Sequence, residues 1–225
     1  MQSKLYDYAF AVEKMNEIDS SLTEKFEKLV LCLYRNPDLA PKPKSKSIQQ
    51  GSREHIEKLA IGFAKSREPK TPKTPSTVPD KMVSEILNIY YGIPQCELEE
   101  AQKIHAQSMG AENIIGDLLE RYVASVIEPQ GWIWCSGSTM KAIDFICPPV
   151  NNSGNWKFLQ IKNRDNTENS SSSAIRNGTD IEKWFRTFSR KEGTNWGAFP
   201  CVTGRNHLSE EGFISFTNNY LEGLR

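Results

Sequence analysis

Ala142-Ile143-Asp144-Phe145-Ile146-Cys147 and Lys157-Phe158-Leu159-Gln160-Ile161-Lys162 each read as a short β-strand, apolar and rich in β-branched and aromatic residues. The connection between them gathers Pro148, Pro149, Asn151, Asn152, Ser153 and Gly154, so a hairpin is expected. Three polar side chains interrupt the apolar pattern: Asp144, Gln160 and Lys162. Gln160 and Lys162 are two residues apart, which puts both on one sheet face. A carboxylate, an amide oxygen and an ammonium are costly to bury without partners. Their convergence therefore marks a candidate site.

Working outward, Ala111 to Ile127 reads as a helix with an apolar stripe of Ile115, Leu118, Leu119, Tyr122 and Val126. The row Gly116, Glu120, Val123, Ile127 is small or apolar apart from Glu120, which is expected to face inward. Asp117 lies on the polar row Asn113, Asp117, Arg121, suited to an i,i+4 ion pair, and reads as surface. Trp132 to Cys135 is a first strand. Downstream of Lys162 runs a polar segment, 163–178. Thr179-Asp180-Ile181-Glu182 reads as a capping box opening a helix with Ile181, Trp184, Phe185 and Phe188 inward. Asn195 to Thr203 and Gly212 to Phe216 read as later strands. This order predicts an α/β fold, a mixed β-sheet core flanked by helices.

Residues 1–110 read as a helical N-terminal region serving as scaffold, DNA clamp or dimer surface, and 111–225 as the core domain. Helices are expected over Leu5–Ile18, from a capping box at Ser21-Leu22-Thr23-Glu24 to before Pro37, over Ser52–Ala64, over Asp80–Tyr91, and over Gln95–Met109 up to a stop at Gly110. Between the third and fourth lies a basic, Pro-rich loop, 66–80, which either follows a phosphate backbone or is simply solvated.

Lys+Arg and Asp+Glu are both 28 in 225 residues, so no global basic signature points to nucleic acid. The charge is nevertheless segregated: Pro41 to Lys81 holds ten basic and four acidic residues, and Met82 to Glu128 two and eight. A local basic surface is thus compatible with neutrality. Five widely spaced cysteines argue against a disulfide framework or a zinc site. His55, His105 and His207 are isolated and read as structural or surface residues. With no signal-peptide pattern and no apolar run of spanning length, the expectation is a cytoplasmic protein with no membrane partner.

Phosphodiester hydrolysis needs an in-line water, charge stabilisation at phosphorus and a leaving 3′ oxygen. A hard divalent cation on oxygen ligands serves all three. Asp144 would be its anionic ligand, with the Gln160 side-chain oxygen and the Ile161 backbone carbonyl beside it. Glu120 would add a second carboxylate, directly or through water. Lys162 would stabilise the developing charge and orient or deprotonate the water. The ligand set suits Mg²⁺, with Mn²⁺ as a substitute.

Asp144, fifteen residues, then Gln160-Ile161-Lys162 resembles the PD-(D/E)XK nuclease pattern in its Q-x-K variant, with Ile143 where proline often stands. The polar stretch from Lys162 to Thr179, followed by Lys183-Trp184, resembles type II restriction endonucleases of the SinI and AvaII kind. That resemblance covers roughly Ile114 to Phe199. It implies a restriction-endonuclease-like fold and a Mg²⁺-dependent homodimer cutting both strands of double-stranded DNA at a pseudo-palindromic GG(A/T)CC site. It also implies a bacterial cell holding a cognate DNA methyltransferase. Arg suits guanine, and Asn suits adenine, so Arg164 and Arg176 lead the candidate base readers, with Asn163, Asn166, Asn169 and Asn177. Ser170, Ser171, Ser172, Ser173, Lys183 and Arg186 suit phosphate contacts. The alternatives are a junction resolvase, a modification-dependent nuclease, or a silent DNA-binding domain in which Asp144 and Lys162 form a buried ion pair.

Overall fold

The computed structural model describes residues 5–76, 78–149, 155–166 and 178–225. Three helices open the chain: α1 (Tyr8–Ile18), α2 (Thr23–Arg35) and α3 (Arg53–Lys65). The Asp7 side chain caps α1 and the Ser52 side chain caps α3. The expected capping box at Ser21 does not form. Asp19 instead accepts from the Ser21 backbone N–H and hydroxyl at 3.0 and 2.6 Å, and α2 begins without a side-chain cap.

Beyond the Pro-rich segment come α4 (Lys81–Ile89) and α5 (Leu98–Ile127). Four strands follow: β1 (Ile133–Trp134), β2 (Phe145–Cys147), β3 (Lys157–Arg164) and β4 (Ile181–Thr187). They form one sheet in the order β1-β2-β3-β4. The first two pairings are antiparallel, with Phe145 opposite Leu159, and β4 joins β3 in parallel, with Gln160 opposite Lys183. Two helices close the chain, α6 (Val202–His207) and α7 (Glu210–Glu222).

Strand alternation divides the core into two clusters. Ile133, Ile146 and Ile181 join Met15, Phe26, Leu29, Ile56 and Phe63 of the first three helices. Trp134, Phe145, Leu159, Ile161 and Trp184 join Leu118, Leu119, Tyr122 and Phe213 from α5 and α7. Neighbouring residues on a strand thus belong to opposite clusters, as a period of two requires. The result is a mixed sheet between two helical layers, the architecture expected from the element pattern.

Three elements differ from expectation. First, α5 is one helix of 30 residues passing through Gly110, so position 110 lies inside an element. Gly110 is present for proximity: a Cβ there would stand 3.0 Å from the Lys73 carbonyl oxygen. Second, Ile181 to Thr187 is a strand. Its apolar spacing fits a helix, but Ile181 and Trp184 enter opposite clusters, whereas a helix would place residues three apart on one face. Aromatic and β-branched residues suit either state locally, and pairing with the open edge of β3 decides it. Third, neither of the last two expected strands forms: Asn195 to Thr203 holds a single 3₁₀ turn (Trp196–Ala198), irregular backbone and only the start of α6, and Gly212 to Phe216 lies within α7. Phe213, Phe216 and Tyr220 follow a three-then-four spacing that belongs to α7, which the Ser209 side chain caps.

α5 is tied to the N-terminal layer by Arg121. This buried guanidinium binds Asp117 Oδ2 at 2.6 Å and donates to the carbonyls of Ser66, Arg67 and Glu68 at 2.7–2.9 Å. Arg67 in turn forms a fork with Glu128 at 2.7 and 3.1 Å, and Glu128 also accepts from Lys25 Nζ at 2.6 Å. Arg121→Ala is expected to cost about 2–4 kcal/mol, because it strands several acceptors at once. Arg121→Lys should recover less than half of that, since an ammonium cannot reproduce the fork. Chemical denaturation of the three proteins measures both values.

Candidate active site

Asp144 lies just ahead of β2, and its Oδ2 accepts from the Ile161 N–H of β3 at 2.7 Å. That bond fixes the carboxylate over the strand that carries Gln160 and Lys162. The loop leading to it is unusual: Ser138 and Ala142 hold φ of 54° and 55°, in the left-handed region that non-glycine residues rarely adopt. Both line the same cavity as Asp144, a polar hollow of about 430 Å³ that also takes in Glu120, Gln160 and Lys162. The four residues expected to converge therefore do so. The Ile161 carbonyl lies between Gln160 and Lys162 along the same strand.

Glu120 reaches the cavity from α5, and its Oε2 accepts from the Trp134 indole N–H at 2.8 Å. Burial and the nearby Asp144 charge push its pKa up to about 8, against the opposing pull of Trp134 and Lys162. Burial likewise raises the Asp144 pKa, opposed first by Lys162 and then by the Ile161 N–H. Two carboxylates thus share one pocket under mutual repulsion. Gln160 is buried, with 1% of its surface exposed, and its Oε1 meets no hydrogen-bond donor among the described residues. An orphaned buried acceptor is rare in folded proteins.

These groups fit a hard divalent cation. The donors are all oxygens, two of them on carboxylates whose charge is otherwise penalised, and the third is an amide oxygen without a partner. Among the described residues no group of three or more His, Cys, Asp or Glu side chains is placed to hold a metal. A cation held here would therefore rely on the Gln160 oxygen beside the two carboxylates.

The raised carboxylate pKa values have a consequence for the metal-free protein. The Glu120 pKa stands above its ordinary 4.5, so the folded state retains a proton that the unfolded chain has released. This stabilisation is full below about pH 4.5 and is lost as the pH rises towards about 8. Asp144 acts in the same direction. Glu120→Gln is neutral throughout and is expected to flatten the fall in Tm between pH 5 and 8, measured in chelator. An unaltered slope would show that Glu120 is ionised in the fold.

Two neighbours escaped the sequence reading. Trp134 orients Glu120, and its ring lies 5.1 and 5.3 Å from the Arg67 and Arg121 guanidinium carbons. No sequence spacing signals this, since it depends on the approach of α5 to β1. Asp117 makes its expected pair with Arg121 but also lines the cavity and binds Lys70 Nζ at 2.5 Å. Its position three residues before Glu120 was the available signal.

Of the expected DNA contacts, Arg164 and Asn166 are exposed and Asn163 and Lys183 partly buried. Arg186 is engaged within the fold, by Asn163 Oδ1 at 2.9 Å, by Glu210, and by the Phe213 ring at 5.1 Å. Asn169, Ser170, Ser171, Ser172, Ser173, Arg176 and Asn177 lie outside the described residues.

A mixed sheet between helical layers, with an acidic residue ahead of one strand and Gln-x-Lys on the next, defines a restriction-endonuclease-like protein. The sequence model of the SinI restriction endonuclease family matches residues 8–223, and this chain belongs to that family. It is 51% identical over 213 residues to the type II restriction enzyme Eco47I of Escherichia coli, covering 94% of this chain and 92% of that one. It is 49% identical over 217 residues to the type II restriction enzyme SinI of Salmonella infantis, covering 96% and 94%.

Proposed function

We propose that this chain is a type II site-specific deoxyribonuclease that cuts both strands of duplex DNA at a short pseudo-palindromic site, GG(A/T)CC, by Mg²⁺-dependent hydrolysis. Family membership supports the reaction class. The observation that carries the chemistry is the orphaned Gln160 oxygen beside two carboxylates of raised pKa. Asp144, the Gln160 side chain, the Ile161 carbonyl and Glu120, directly or through water, would hold Mg²⁺ or Mn²⁺. When bound, the cation supplies positive charge against the phosphoryl oxygens.

The chain's own groups do the rest. The Ile161 N–H and the Trp134 indole hold the two carboxylates in place. Lys162 donates to the developing phosphorane charge and orients the attacking water in line with the leaving 3′ oxygen. Arg164 and Asn166 suit base readout, with Arg176 and the Asn and Ser residues of 163–178, while Lys183 suits a phosphate. Digestion of a sequenced plasmid with Mg²⁺ tests the reading. Defined fragments with matching ends are expected, and Asp144→Ala should yield none. Full cleavage by that variant would sink the assignment.

Among the described residues there is one such site, and a duplex has two strands, which favours a homodimer. Met82, Ile86, Ile89 and Tyr90 of the α4 segment and Ile104 of α5 are exposed by 53–79%, the kind of apolar patch that marks an interface. We assign this face to the second copy. Ile86→Asp is expected to give a monomer by sedimentation, and an intact dimer would exclude α4 from the contact. The bacterial cytoplasm, and a cognate methyltransferase protecting the host's own sites, follow from the same reading. No described helix is long and apolar enough to cross a membrane.

A further inference from the structure

A segment with prolines at positions 69, 72, 75 and 79 and no regular structure among its described residues would ordinarily behave as a free tether. Here it is pinned along α5. Arg121 holds the carbonyls of 66–68. The Tyr220 hydroxyl accepts from the Lys70 N–H at 2.6 Å and donates to the Lys70 carbonyl at 3.3 Å. Gly110 admits the Lys73 carbonyl against the helix. The pinned segment walls a second hollow of about 510 Å³, lined by Lys70, Thr71, Lys73 and Asn113 among others. Lys70 and Asp117 line both this hollow and the catalytic cavity, so the two adjoin.

We propose that this strap is a phosphate rail: Lys70 and Lys73, with the Thr71 hydroxyl and the Asn113 amide, bind backbone phosphates of the strand being cut, next to the scissile one. The inference rests on the nuclease reading above. Ammonium, hydroxyl and amide donors are the groups that bind phosphate without reading sequence. A backbone held at several points presents them with little ordering cost on binding. In the free protein Lys70 Nζ is kept by Asp117 at 2.5 Å. Asp117 retains Arg121 as a partner, so Lys70 can turn to a phosphate without stranding a carboxylate.

The test is duplex binding by fluorescence anisotropy across a salt series, without divalent cation, on a GG(A/T)CC duplex and a scrambled one. For Lys70→Gln/Lys73→Gln, log Kd against log salt should lose about 0.9 in slope per lysine, or about five-fold in affinity per contact near 0.15 M salt. The loss should be alike on both duplexes. Lys70→Arg/Lys73→Arg should restore the slope, which separates lost contacts from lost fold. Normal wild-type binding with an unchanged slope in the double Gln variant overturns the rail alone, as does a loss confined to the GG(A/T)CC duplex. A wild-type chain that binds neither duplex, and leaves both uncut once Mg²⁺ is added, removes the nuclease reading and the rail with it.

Discussion

Lys162→Ala is expected to lower duplex cleavage by about two to three orders of magnitude, the scale of losing one donor aimed at transition-state charge, while duplex binding stays close to wild type. Both halves follow from its place. Lys162 sits on β3 opposite Phe185 of β4, so strand pairing holds its backbone whatever the side chain does. Lys70, the other lysine of the cavity, pairs with Asp117 in the free protein and is assigned above to a neighbouring phosphate, so it does not replace Lys162. Lys162 is only partly buried and belongs to neither hydrophobic cluster, so its removal should not unfold the protein. Lys162→Arg should recover little, because a planar fork does not occupy the position of a compact ammonium. Single-turnover cleavage of pre-bound duplex isolates the chemical step. A rate within ten-fold of wild type would take Lys162 out of the reaction.

The convergence of Glu120, Asp144, Gln160 and Lys162 on one cavity was legible because it rests on local periodicity. Glu120 could be placed inward from its helical row, and Gln160 with Lys162 from strand parity. The same reasoning failed at Ile181 to Phe188, where helical spacing and strand-forming side chains coincide. There the deciding term is the unpaired edge of β3, a partner about twenty residues away in sequence. At Gly110 the sequence signal for a helix stop was overridden by the approach of Lys73, a tertiary contact with no local trace. Arg121 was read as one member of an i,i+4 pair. Its larger role, holding three carbonyls of the Pro-rich segment, appears only once that segment is seen lying on α5. Ordinary chemistry at Trp134 was hidden for the same reason.

Gln160→Leu is expected to abolish cleavage without destabilising the fold, the reverse of the usual result for a buried position. A buried carbonyl with no donor costs about 1–3 kcal/mol, and a leucine of similar volume carries no such penalty. The net change in stability should therefore be small, within about 1 kcal/mol of zero, or favourable. On the proposed reading the functional loss arises because the cation would keep Asp144, Glu120 and the Ile161 carbonyl but lose the Gln160 oxygen, a buried acceptor left without a donor among the described residues. Added Mg²⁺ should raise the Tm of the wild-type chain, by relieving the two repelling carboxylates, and should raise that of Gln160→Leu far less. Gln160→Glu sharpens the contrast. A third carboxylate in the same pocket should lower stability in chelator, since burial and the Asp144 charge already raise the Glu120 pKa, and should enlarge the stabilisation by Mg²⁺. Melting curves of the three proteins with and without the cation read this directly. Wild-type cleavage by Gln160→Leu, or equal Mg²⁺ stabilisation in all three, would mean that the orphaned oxygen is not a ligand.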